Sequence, residues 1–187
     1  MSSPATTTTP PWQRTVWSDA GQIARQIDPD SPPHESDRLP PHLRFAELTG
    51  QGRRNDAVAF LAHALPRYEA VVWGAQVLLE AGIADRHDPL MVAVLRWIDQ
   101  PGDDLRRNAG DLAEATRRNT PARNLAHAVL MSGGSIAPPE FPAVQPPTAV
   151  CAALVTGAVL AGAYALRDPR AALDLALKLG EAIANGA

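Results

Sequence analysis

The side chains here that could move protons, bind a metal or hold an anion include five histidines, one cysteine and the arginine pairs Arg106-Arg107 and Arg117-Arg118. His34, His42, His63, His87 and His127 do not fall in HExxH or another metal-ligand spacing, and a lone Cys151 cannot complete a zinc cluster. No metal site is expected. General acid–base chemistry would need side chains distant in sequence, such as His63, Glu69, His87 and His127, to meet in one cavity. The plainer expectation puts His63 and His127 on helices as polar-face or partly buried residues and His87 in a turn. Cys151 has no cation or histidine near it in sequence and sits among apolar residues, so it reads as a small core hydrophobe rather than a nucleophile.

Arg106-Arg107 and Arg117-Arg118 are eleven residues apart, about three helical turns, so a helix running to about Arg118 would put both pairs on one face. That stripe could bind an anion. Asp103, Asp104, Asp111 and Glu114, three or four residues away, point instead to a solvated salt-bridge face. The segment MSGGSIAPPEF carries Gly133-Gly134, but no GK[ST] follows and no GxSxG surrounds Ser132 or Ser135. No phosphate loop, nucleophile elbow or cofactor is expected. Two readings of this stretch remain. Gly133 closes a helix before an extended connector, or a proline-stiffened loop presents Ile136, Glu140 and Phe141 to a partner. On the second reading the partner-binding candidates are Ser132, Gly133, Gly134, Ser135, Ile136, Pro138, Pro139, Glu140 and Phe141, joined by Trp12 and Trp17 near the N-terminus.

Helices must position these groups. Three Asp-Pro or Thr-Pro pairs, Asp88-Pro89, Thr120-Pro121 and Asp168-Pro169, supply an N-cap acceptor followed by proline at the first helical position. Each precedes apolar residues at helical spacing, and that agreement between levels specifies a fold. Further helices are expected over Asn55–Ala64, from Pro66 to Ala81, and from Asp103. No segment shows strand alternation. The fold class is all-α: an irregular bundle or stack of helical hairpins with six to seven helices.

Residues 1–52 hold eight of the eighteen prolines and form a separate arm, disordered or wrapping, with a brief helix from Ser18. Leu43, Phe45 and Leu48 could dock it on the helical domain, 53–187, which contains the Pro-rich loop 132–147. Thr148 is expected to cap TAVCAALVTGAVLAGAYAL, Thr148 to Leu166, which lacks any charge. A membrane span needs about 20 apolar residues, so length alone permits one. Abundant Ala, Gly and Thr and the missing aromatic or basic anchors favour the buried helix of a soluble domain instead.

A net charge of -3 argues against a nucleic-acid binder. The single cysteine fits a reducing compartment, and the N-terminus carries no secretory signal, so the cytoplasm is expected.

LPRYEAVVWGA (Leu65 to Ala75), LMSGGSIAPPEFPAV (Leu130 to Val144) and GAVLAGAYALRDPRAAL (Gly157 to Leu173) resemble an uncharacterised family of bacterial helical proteins associated with type VI secretion gene clusters. The resemblance covers Leu65 to Gly186 and implies an accessory role without a mechanism. The reading is therefore a non-enzymatic protein–protein interaction module, an adaptor, chaperone or scaffold with an unidentified protein partner. Homo-oligomerisation stays open. The alternatives are a small enzyme using the scattered His and Glu residues, or a membrane-anchored component.

Overall fold

The computed structural model describes residues 11–138 and 140–187. All three cap-plus-proline starts are made. Asp88 accepts from the Leu90 amide at 2.8 Å, Thr120 from Arg123 at 3.2 Å and Asp168 from Ala171 at 3.1 Å. They open α5 (Pro89–Asp99), α7 (Pro121–Leu130) and α9 (Pro169–Ala184). The other α-helices are α1 (Ala20–Ile27), α2 (Pro41–Gly50), α3 (Arg54–Ala64), α4 (Arg67–Glu80), α6 (Asp103–Ala115) and α8 (Thr148–Ala165). A 3₁₀ turn spans Glu35–Arg38, and no strand occurs among the described residues.

The class is all-α, with nine α-helices among the described residues rather than six or seven. The excess comes from the N-terminal segment. Pro41 is the first residue of α2, where its missing N–H would have no intrahelical partner anyway. His34 and Asp37 form a reciprocal capping box on the 3₁₀ turn. Asp19 caps α1 by accepting from Gln22 at 3.0 Å. Two boundaries also move. Thr148 is the first helical residue of α8 and caps nothing, and α6 stops at Ala115, short of Arg117-Arg118.

The core gathers around α8, which packs on α7, α3, α4 and α9. Cys151, Val155, Ala158, Val159 and Gly162 face inward, whereas Ala153, Ala161, Tyr164 and Ala165 are exposed. The helix expected to be buried is covered on one face and open on the other. By length and composition α8 could cross a membrane, with a mean hydropathy of 1.8 and 39% of the helix buried.

Close approach sets the geometry on the opposite side. A Cβ on Gly180 of α9 would meet the Leu61 side chain and lie 2.8 Å from Trp73 Nε1. That indole donates to the Ala176 carbonyl at 2.8 Å, so α9 is tied to α4 through a fully buried tryptophan.

Candidate functional site: a proline-rich loop held by two arginines

The chain between α7 and α8 is fixed by side chains from α6. Arg106, 4% exposed, donates from Nη1 to the Leu130 carbonyl at 2.6 Å and from Nη2 to the Ser135 carbonyl at 2.8 Å. Arg107 donates to the same Ser135 oxygen at 2.9 Å and to the Ala137 carbonyl at 3.0 Å. Asp103 orients both forks: Arg106 Nη2 reaches its Oδ1 at 2.5 Å and Arg107 Nε its Oδ2 at 2.7 Å. A planar guanidinium with several fixed donors suits this task better than an ammonium would. Hydrogen bonds first from Arg106 and then from Arg107 hold the Asp103 carboxyl below its usual range.

The salt-bridge face expected around Arg106-Arg107 is thus corrected. Both arginines do pair with Asp103, but Arg106 is buried, and their remaining donors hold backbone carbonyls. Arg117 and Arg118 lie beyond the end of the helix and take no part in the face predicted for them.

The loop closes on itself as well. Ser135 Oγ accepts from the Ala137 amide at 3.1 Å and the Val144 amide at 3.0 Å, while the Ile136 amide donates to the Val144 carbonyl at 2.9 Å. Gly134, not Gly133, is the conformationally demanding glycine. Its φ is +62°, and a Cβ there would stand 2.9 Å from Arg106 Nη2 and 3.0 Å from Asp103 Oδ1. A side chain at 134 would therefore push against the clamp. Gly133 has open space around it, and α7 ends three residues earlier at Leu130.

Of the predicted loop residues, Ser132, Gly133, Ser135 and Ile136 are partly buried, and Gly134, Pro138 and Glu140 are exposed. Pro139 lies outside the described residues. Phe141 is 61% exposed and Val144, which sequence reasoning did not single out, is 51% exposed. They are the large apolar side chains that the clamped ring turns outward.

Trp12 and Trp17 behave differently. Trp12 is buried, with its ring centroid 5.2 Å from that of Phe45 and 6.5 Å from that of Phe60. Trp17 is half-buried and donates its indole N–H to the His63 carbonyl at 2.8 Å. This corrects the assignment of Trp12 as a partner contact, because the fold itself takes up its apolar face, whereas Trp17 is only partly covered.

The groups considered for catalysis do not assemble. Glu69 pairs loosely with Arg14 at 3.7 Å, and His87 is exposed in the turn before α5. His63 and His127 both have lowered pKa values because burial disfavours the charged ring, with Arg123 adding to the effect at His127. None of the described cavities is lined by more than one of these four residues. Among the described residues no His, Cys, Asp and Glu cluster could hold a metal ion. Burial pushes the Cys151 thiol up to about 12.

The described residues form nine α-helices and a loop, 132–147, whose backbone is held by side chains of α6, with no assembled reactive centre among them. The chain belongs to the family DUF6931, a family of unknown function, whose model matches residues 44–184. The match includes α6, α7, the loop and α8, and it leaves out Trp12, Trp17 and α1. No curated protein and no solved structure matches the chain.

Proposed function

We propose that this protein is a non-enzymatic protein–protein interaction module, an adaptor or accessory scaffold whose contact surface is the loop 132–147. One observation carries this reading. Two arginines and a serine fix the loop's backbone, and Phe141 and Val144 are left facing solvent with no role in the core. A chain that orders a loop this thoroughly has already met much of the entropy cost of presenting it, which favours binding through a few apolar anchors. The resemblance noted from sequence adds the context we propose, an accessory component of a bacterial multiprotein system, secretion-associated and cytoplasmic.

Affinity purification from the native host, comparing the unaltered chain with a Phe141→Ser/Val144→Ser variant, tests the reading. The expected outcome is a stoichiometric partner held by the native chain and lost by the variant, with both melting at the same temperature. Equal recovery by the two proteins would remove the loop from the interface.

A further inference from the structure

A cleft of about 540 Å³ opens where the turn before α3 meets the turn before α9. Three guanidinium groups line it. Arg53 and Arg54 come from the start of α3, and Arg170 comes from the first turn of α9. Asp56 and Asp168 share the lining, and Tyr164, Pro169 and Leu173 form its apolar side.

The carboxylates here are already engaged. Asp56 Oδ2 accepts from Arg53 Nε at 2.8 Å, and Asp168 Oδ1 accepts from the Ala171 amide as the cap of α9. Asp174, one turn beyond Arg170, takes Nε and Nη2 of Arg54 at 2.7 and 3.3 Å. Donors are left over. Among the described residues neither Nη of Arg53, nor Nη1 of Arg54, nor any nitrogen of the Arg170 fork has an acceptor. The first amides of α3 also lack a side-chain cap. Cationic donors that converge on one opening from two elements draw an anion in.

We propose that this cleft binds a small organic phosphate monoester, with the phosphate on Arg53, Arg170 and the first amides of α3 and the organic part against Tyr164. The donor arrangement selects phosphate over carboxylate. A tetrahedral phosphate presents three terminal oxygens and can accept from both turns and from a helix start at once, whereas a carboxylate has two oxygens in one plane. The volume selects an organic ester over the free ion, since 540 Å³ falls among small-molecule sites, which run from about 300 to about 1,000 Å³. Tyr164 supplies a surface for the remainder. It is 57% exposed, and its hydroxyl donates to Asn55 Oδ1 at 3.0 Å, so a ring laid on it meets a side chain already held in place.

The test follows the backbone amides of the full chain by ¹H–¹⁵N spectra at constant ionic strength, with phenyl phosphate, inorganic phosphate and benzoate as probes. Phenyl phosphate should shift Arg54, Asn55 and Asp56 saturably and bind most tightly of the three. Arg170→Ala should weaken it about tenfold, the loss of one charge-assisted contact. Arg118→Ala removes the same charge at an exposed site beyond the end of α6 and should change nothing. Tyr164→Ala should weaken phenyl phosphate about fivefold and leave inorganic phosphate as it was. All three substitutions fall at exposed positions and should keep the melting temperature. No saturable shift with phenyl phosphate, benzoate binding as tightly, or equal losses in Arg118→Ala and Arg170→Ala would overturn the inference. So would inorganic phosphate that matches phenyl phosphate. None of these outcomes bears on the loop, so the two proposals stand or fall separately.

Discussion

The segment 11–52 and the loop 132–147 are both rich in proline, and they do opposite things with it. In the first, prolines punctuate short helices, and Trp12, Ile23, Phe45 and Leu48 are drawn into the core while Val16, Ile27 and Leu43 stay exposed. In the second, no helix forms among the described residues; polar side chains grip the backbone and the large apolar residues Phe141 and Val144 stay outside. Proline content alone therefore says little about order. What separates the two is where the hydrogen-bond donors come from. The N-terminal segment supplies its own caps, as Asp19 and His34 do, while the loop borrows donors from α6.

Breaking each region at its anchor should expose that difference. Trp12→Ala is expected to have the largest effect, a loss of about 3–5 kcal/mol as a buried aromatic is deleted, read as a fall in the denaturant midpoint. Its indole N–H has no partner among the described residues, so Trp12→Phe should cost much less. Arg106→Ala follows, at about 2–4 kcal/mol, because the Leu130 carbonyl loses its arginine donor and the Ser135 carbonyl keeps only Arg107. Its distinguishing sign is local: amide hydrogen exchange should accelerate at Ile136 and Val144 and stay unchanged in α1 and α2.

Acidification should loosen the two regions in sequence. His63, beneath Trp17, has a folded-state pKa lowered by burial from an ordinary 6.5. The unfolded chain takes up the proton first, so this contribution is complete above pH 6.5 and shrinks as the pH falls below it. Asp103 is also depressed, from an ordinary 3.8 by its two arginines. The stability it lends is present above 3.8 and disappears only as the pH drops through its lower folded value, modestly, since the carboxylate is 55% exposed. Hydrogen exchange at pH 7, 5 and 3 should show the N-terminal segment responding before the loop does. The smallest effect belongs to Phe141→Ala, expected within about 0.5 kcal/mol of the unaltered chain by thermal melt.

The helices that begin at Asp88-Pro89, Thr120-Pro121 and Asp168-Pro169 were legible because cap, proline and apolar period are all local signals. α2 was hidden because Pro40-Pro41 reads equally as a break or as a first turn, and only the burial of Phe45 and Leu48 decides. The loop's glycines and prolines were visible as a candidate surface, and Phe141 stands where such a surface needs it. Its restraint was not visible. Pairing Arg106 with the carbonyls of Leu130 and Ser135 spans 24 and 29 residues, and a carbonyl leaves no mark on residue identity. One trace did exist. Gly134 has to be a glycine for two reasons, its φ and the guanidinium beside it, but sequence spacing favoured Gly133.

Cys151 sits on the covered face of α8 with its sulfur 4.0 Å from the Arg67 carbonyl, and it is the single cysteine in the chain. A thiol so protonated and enclosed is deaf to alkylating reagents until the helix lifts away. The rate at which such a reagent captures it would then be a clock for that lifting, built into the unaltered protein and needing no engineered probe.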